Sequence, residues 1–223
     1  MFKFKSISSK DMMVVVEEES HFLAKASQRV ESAVIDGHDG ELIEFFGYQN
    51  VERPIKVQIL NSKKLDDIFA WLNGEGILEY NDRITKAYFS QAIEPIRTSA
   101  IKVADFMFTR SPFWYKKNDD YVTITNSVIN EGNVYAKPII RLEKQVDSKI
   151  DLTIAGVRFK YDFQNDEYVD IDCEDMNAYY DNLLRNKQLE IGYEFPILQV
   201  GTNNVEVHSG DVIIKIKRKD RWL

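Results

Sequence analysis

What constrains this chain most is alternation. Apolar and polar residues trade places at every second position in Ile55-Lys56-Val57-Gln58-Ile59, Leu152-Thr153-Ile154, Val157-Arg158-Phe159-Lys160-Tyr161 and Val205-Glu206-Val207. Successive side chains of a strand point to opposite faces, so this period writes half-buried strands and predicts a mainly β protein. The basic tail "IKIKRKDRW" obeys the same rule, with Lys215 and Lys217 on the wet face of a strand and Ile214 and Ile216 on the dry one.

Two segments break the period. Ser62 to Leu72 places Leu65, Ile68, Phe69 and Leu72 at helical spacing, with Ser62 as the expected cap, Asp66 and Asp67 near the positive end and Gly74 just past the other end. A second, weaker helix is predicted from Glu174 to Leu184. Between them, Ile77 to Tyr80 and Ile84 to Phe89 flank Asn81-Asp82-Arg83, a connection suited to a hairpin.

At 223 residues the chain makes one large or two small domains and can bury roughly 70% of its unfolded surface. The polar run Lys116 to Asp120 follows Ser111-Pro112-Phe113-Trp114-Tyr115, which places a boundary near residue 118 and predicts domains 1–118 and 119–223. No stretch approaches the eighteen or so apolar residues of a membrane span, and Met12 to Val16 is too short for a secretory core, so no membrane partner and synthesis in the cytoplasm are expected. A net charge of −7 argues against specific nucleic-acid binding, whose affinity comes from clustered Lys and Arg. The single cysteine, Cys173, is expected as a small buried hydrophobe in a strand.

Ile35-Asp36-Gly37-His38-Asp39-Gly40 gathers the residues most suggestive of a metal or catalytic site. His21 and His208 lie too far along the chain to share ligand spacing with His38, and a calcium loop would need alternate oxygen ligands and a distal glutamate. Aspartate and glycine on both sides of one residue, between apolar runs, are turn chemistry. The chain has no G-x-S-x-G, no phosphate loop and no G-x-G-x-x-G. The acids Glu17 to Glu19 and Asp119-Asp120 are consecutive, so neighbours point apart. Asp170, Asp172 and Glu174 make an i, i+2, i+4 row expected on a solvated strand face. No catalytic, cofactor or metal residue is assigned and no enzyme is expected. "PFWYKK" reads as a plug of buried rings at the domain junction in preference to a stacking platform.

Several segments in order resemble the distal tail protein family of phages with long non-contractile tails: "SSKDMMVVVEEE", Ala33 to Leu42 through the Asp-Gly turn, "IKVQIL", "WLNGEGILEYND", "YFSQAIEPI", "RSPFWY", "VINEGNVYAKPIIRLE", Phe195 to Val205 and a terminal Arg-Trp-Leu. His38 and Asp36 stand where the family more often has Arg and Pro. The resemblance implies an N-terminal ring-forming β-sandwich with one helix and a C-terminal galectin-like β-sandwich. It also implies a hexameric ring at the virion tail tip that lets DNA pass. The expected partners are further copies of the chain, the tail tube protein, a tail-tip lysin or fibre protein and, in some phages, receptor-binding proteins. The rivals are a stand-alone carbohydrate-binding β-sandwich using Trp114, Tyr179 or Tyr180, and a hydrolase built on Asp170, Asp172 and Glu174.

Overall fold

The computed structural model describes residues 1–17, 19–98 and 101–223; Glu18 of the acidic run lies outside them. The chain folds as two compact units, one of Met1–Lys117 with Leu223 and one of Asn118–Trp222. The protein is mainly β, and α1 is the single α-helix among the described residues.

The first unit runs β1 (Lys3–Phe4), β2 (Ile7–Ser8), β3 (Val14–Val16), β4 (Gln28–Val34), β5 (Glu41–Tyr48), β6 (Val51–Ile59), α1 (Leu65–Trp71), β7 (Gly74–Tyr80), β8 (Arg83–Phe89), β9 (Ile96–Thr98), β10 (Ile101–Arg110) and β11 (Trp114–Lys116). One hydrogen-bonded path joins β2-β1-β7-β8-β10-β6-β3, with β9 on β10 and β11 on β8. Its alternate residues Ile55, Val57, Ile59, Leu78, Tyr80, Ala87, Phe89, Ala104, Phe106 and Phe108 are buried. Rings meet there, Phe4 on Phe89 at 4.9 Å and, from the neighbouring strands β8 and β10, Phe89 on Phe108 at 6.2 Å, to form an aromatic core. The β7–β8 hairpin forms as expected. Its turn is Asn81-Asp82, both at positive φ, which is the backbone that matches the twist of paired strands; Arg83 already belongs to the strand.

The helix differs from expectation in two details. Asn61, not Ser62, caps it: the Asn61 side chain accepts from Lys63 N–H at 3.0 Å, and a 3-10 turn over Ser62–Lys64 precedes α1. Trp71 is buried and donates its indole N–H to Phe4 C=O at 2.8 Å, whereas Phe69 is exposed. The tight first turn rotates the buried stripe, which becomes Ile68, Trp71 and Leu72.

The second unit runs β12 (Val122–Ile124), β13 (Ser127–Asn130), β14 (Ile139–Lys144), β15 (Lys149–Ile154), β16 (Val157–Asp162), β17 (Tyr168–Asp172), β18 (Asn177–Tyr180), β19 (Leu183–Leu184), β20 (Leu189–Ile191), β21 (Gly201–Ser209) and β22 (Val212–Lys217). Two sheets, β12-β22-β14-β17-β18-β19 and β13-β21-β15-β16-β20, share one core that includes Ile140, Leu142, Leu152, Phe159, Val169, Ile171, Ile214 and Ile216. This is a β-sandwich. The helix expected over Glu174 to Leu184 is absent: the segment is a turn and the hairpin β18–β19. The Asp172 carboxylate accepts from Glu174 N–H at 2.8 Å and Asp175 N–H at 3.2 Å, and Met176 and Asp181 take positive φ. These local bonds offer the backbone an alternative to a helix. Cys173 is buried, in the turn just after β17 and not within a strand; burial pushes its thiol pKa up.

Candidate interaction surface

One element of the first unit does not join its sheet. β4 and β5 pair with each other and with no third strand among the described residues. The register sets Val30 against Phe45, Ser32 against Ile43 and Val34 against Glu41 on one face, and Glu31 against Glu44 and Ala33 against Leu42 on the other. Directly opposed residues share a face, so the hairpin is amphipathic, with one largely apolar face and one mixed, acidic face. Yet the apolar face is bare: Ile43 is 54% and Phe45 60% exposed, and Val30 and Val34 are exposed too.

Two features make this hairpin unusual in water. An isolated two-stranded hairpin is marginal at best, and apolar side chains on an uncovered face contribute nothing by burial. Glu31 and Glu44 face each other directly, a like-charge pairing that destabilises the ladder. Across residues 28–48, five carboxylates, Glu31, Asp36, Asp39, Glu41 and Glu44, stand against one cation, Arg29, which donates to Phe46 C=O at 2.7 Å. Both faces therefore lack what would stabilise them.

The base, by contrast, is held firmly. Phe22 is fully buried, stacks on Tyr80 and packs at a tilt against Phe2 and Phe108; Ala26 is buried, and Gln49 N–H donates to Ser27 C=O at 2.8 Å. Arg110 donates to Ala24 C=O at 2.5 Å, to Ser111 C=O at 2.8 Å and to Pro112 C=O at 3.1 Å, and its guanidinium lies 5.0 Å from the Trp114 ring centroid. Burial pushes the Arg110 pKa down to about 10. Carbonyl dipoles and an aromatic face solvate this cation and fix the chain that enters β4.

The residues singled out in the sequence fall into place around this picture. Asp36 to Gly40 form the connection at the tip of the hairpin, with Gly37 and Gly40 at positive φ and His38 N–H on Ile35 C=O at 3.1 Å. Among the described residues no three His, Cys, Asp or Glu side chains cluster in a way that could hold a metal ion. Phe113 and Trp114 are buried, so Trp114 offers no exposed platform. The Tyr180 ring sits 5.0 Å from Tyr168 and carries Arg185 at 5.6 Å, while Tyr179 lies opposite Asp170 on β17.

The expected acid row does not stay in one strand. Asp170 takes a bidentate pair from Arg141 at 2.8 and 2.6 Å, Asp172 caps its turn, and Glu174, beyond β17, accepts from Arg221 at 2.6 Å. Arg141 is in turn sandwiched between Tyr121 and Tyr168 at 4.7 and 4.6 Å. These carboxylates are neutralised by cations, an arrangement for holding a sheet face together. The sequence carries one signal for the bare hairpin, the poor periodicity of Ser20 to Ser32, which suits a segment that reaches to a neighbour and overlaps β4; alternation elsewhere marks an apolar face without showing what covers it.

Residues 131–222 match the family model of the siphovirus-type tail component, C-terminal domain. No curated protein matches the chain in sequence. Among solved structures, the chain is similar to the Dit protein of phage SPP1, described as a paradigm of the hub adsorption apparatus in phages infecting Gram-positive bacteria. That match has a TM-score of 0.77 at 12% identity and covers 100% of this chain and 98% of that one. A chain of the phage P2 baseplate in its activated conformation with Ca aligns over 95% of this chain and 92% of its own at 9% identity, with a TM-score of 0.45.

Proposed function

We propose, for a chain whose residues 131–222 match the siphovirus-type tail component domain and whose fold is like that of the SPP1 Dit protein, that it is a distal tail protein, the hub of a phage tail tip. In this reading residues 1–118 close into a hexameric ring around a lumen that passes DNA. Residues 119–223 form a galectin-like domain carried by the ring. The partners are further copies of the chain, the tail tube protein and a tail-tip lysin or fibre protein, with receptor-binding proteins in some assemblies, and the site of action is the virion tail tip. The role is structural, without catalytic, cofactor or metal residues.

The observation that carries this reading is the rooted but uncovered β4–β5 hairpin. A closed ring of identical subunits needs a head-to-tail interface, with two different patches on each protomer. An amphipathic arm that its own unit leaves bare is suited to be one of them. The net charge of −7 suits a conduit that must not retain phosphate chains.

Sedimentation velocity of the full chain at rising concentration tests the reading. The sedimentation coefficient is expected to approach a limit corresponding to six copies, and Ile43→Ser with Phe45→Ser is expected to abolish that limit while circular dichroism stays unchanged. If residues 119–223 formed the hexamer while residues 1–118 remained monomeric, the ring would belong to the other unit.

A further inference from the structure

The hairpin is one half of a head-to-tail contact, and the first unit also carries a surface that fits the other half. β3 ends the hydrogen-bonded path of the sheet. Leu60 N–H donates to Met13 C=O at 3.0 Å and Glu17 N–H to Lys56 C=O at 2.9 Å, so residues 13, 15 and 17 face β6 in the bonded register. The carbonyl of Val14 and both backbone groups of Val16 therefore point to the open side, where no strand of the described residues pairs. Val14 N–H is already held by Ser9 C=O at 2.8 Å.

Beside this edge lies a groove of about 400 Å³ lined chiefly by apolar side chains, among them Met1, Met13, Val15 and Leu60, all exposed. Its one charged side chain is Lys10. The larger depression of the same unit, about 750 Å³, is lined by Glu17, Glu94 and Asp105 as well as Lys56, and would repel an acidic arm.

We infer that the β3 edge and its groove receive the β4–β5 hairpin of a second copy of this chain, one outer hairpin strand extending the sheet at Val14 and Val16. The inference rests on the assembly reading and specifies its second patch. Open strand edges pair readily with another strand, main-chain bonds giving affinity and side-chain pockets giving specificity. The Val30, Ile43 and Phe45 face supplies apolar side chains to this apolar groove. Glu41, opposite Val34 on that same face, receives Lys10, the charged side chain of the groove. An opposite charge beside that carboxylate fixes orientation.

Single-cysteine coupling tests this. Cys173 is buried and stays in place, while Phe45→Cys and Val15→Cys, both at exposed positions, are made in separate full-length chains. Mixed under oxidising conditions, they are expected to form a heterodimeric disulfide well above either homodimer, and above Phe45→Cys mixed with the exposed control Ile77→Cys. Lys10→Glu is expected to weaken association by at least roughly tenfold, with partial recovery when combined with Glu41→Lys. If wild-type chains assemble in sedimentation but Phe45→Cys couples no better to Val15→Cys than to Ile77→Cys, the groove is not the receiver and the ring reading stands. If the chains neither assemble nor couple at any concentration, both ideas fall.

Discussion

The hairpins β4–β5 and β15–β16 each carry an apolar face and end in opposite environments. Both are antiparallel pairs whose register puts apolar residues together on one face, and both turn through positive-φ backbone, at Gly37 and Gly40 in the first and at Ala155 and Gly156 in the second. In β15–β16 the alternate residues Ile150, Leu152, Ile154, Phe159 and Tyr161 enter the shared core of the sandwich. In β4–β5 the equivalent residues Val30, Ile43 and Phe45 remain open. A period of two therefore specifies that a strand has an apolar face, and the rest of the assembly decides what that face meets.

Three measurements would break or sharpen this contrast. The largest effect is expected from truncation. Leu152→Ala, at a fully buried position, should cost about 3 kcal/mol in urea unfolding, whereas Ile43→Ala should change the monomer by less than about 0.5 kcal/mol and act on association instead. Equal costs would mean that the β4–β5 face is covered within one chain.

A smaller effect is expected at the turns. Gly156 has φ +83° and Gly37 φ +82°, and a Cβ at either would meet nothing within 4 Å, so the two alanine substitutions impose the same backbone strain. Gly156→Ala should lower stability by about 1 kcal/mol, because the sandwich holds its turn in place. Gly37→Ala should lower it by only a few tenths, because the tip of an uncovered hairpin relaxes or frays without unfolding its unit. Matching losses would show that the hairpin is as cooperative with its unit as β15–β16 is.

The smallest concerns acid. The Asp151 carboxyl, in β15, is held below the ordinary carboxylate range by its bidentate bonds from Arg158 at 2.9 and 2.7 Å. A carboxyl whose folded pKa is depressed adds stability above its unfolded pKa near 4, and that stability is lost as pH falls through the folded value. Melting temperature should therefore decline below about pH 4, and Asp151→Asn should flatten the decline slightly. A steeper decline in Asp151→Asn would reverse the assigned sign.

The strands around the core are legible because their alternation is strict: β6, β15, β16, β21 and β22 all lie where the period places them. The 174–184 segment misleads because Met176, Tyr179, Tyr180 and Leu183 also fit a helical spacing, while the deciding information is the Asp172 side chain bonding to backbone two and three residues ahead. The Asn61 cap is one residue from the expected one, within the reach of a 3-10 first turn. The receiving groove is not legible at all. It is built from Met1, Lys10, Met13, Val15 and Leu60, residues that come together only once β3 has paired with β6.

The two ends of the β4–β5 arm are anchored by different means, and this sets its mechanics. β5 continues through a short turn into β6, whose residues Val51 to Ile59 pair along their length with Lys102 to Arg110 of β10. A pull along that strand loads many hydrogen bonds at once, in shear. The chain entering β4 is gripped instead by a buried ring at Phe22 and by the Arg110 guanidinium on Ala24 C=O. Short-range contacts of this kind bear load over a fraction of an ångström and then release. Under tension the arm should yield first on its β4 side, peeling residues 24–27 from the unit while β5 stays tethered.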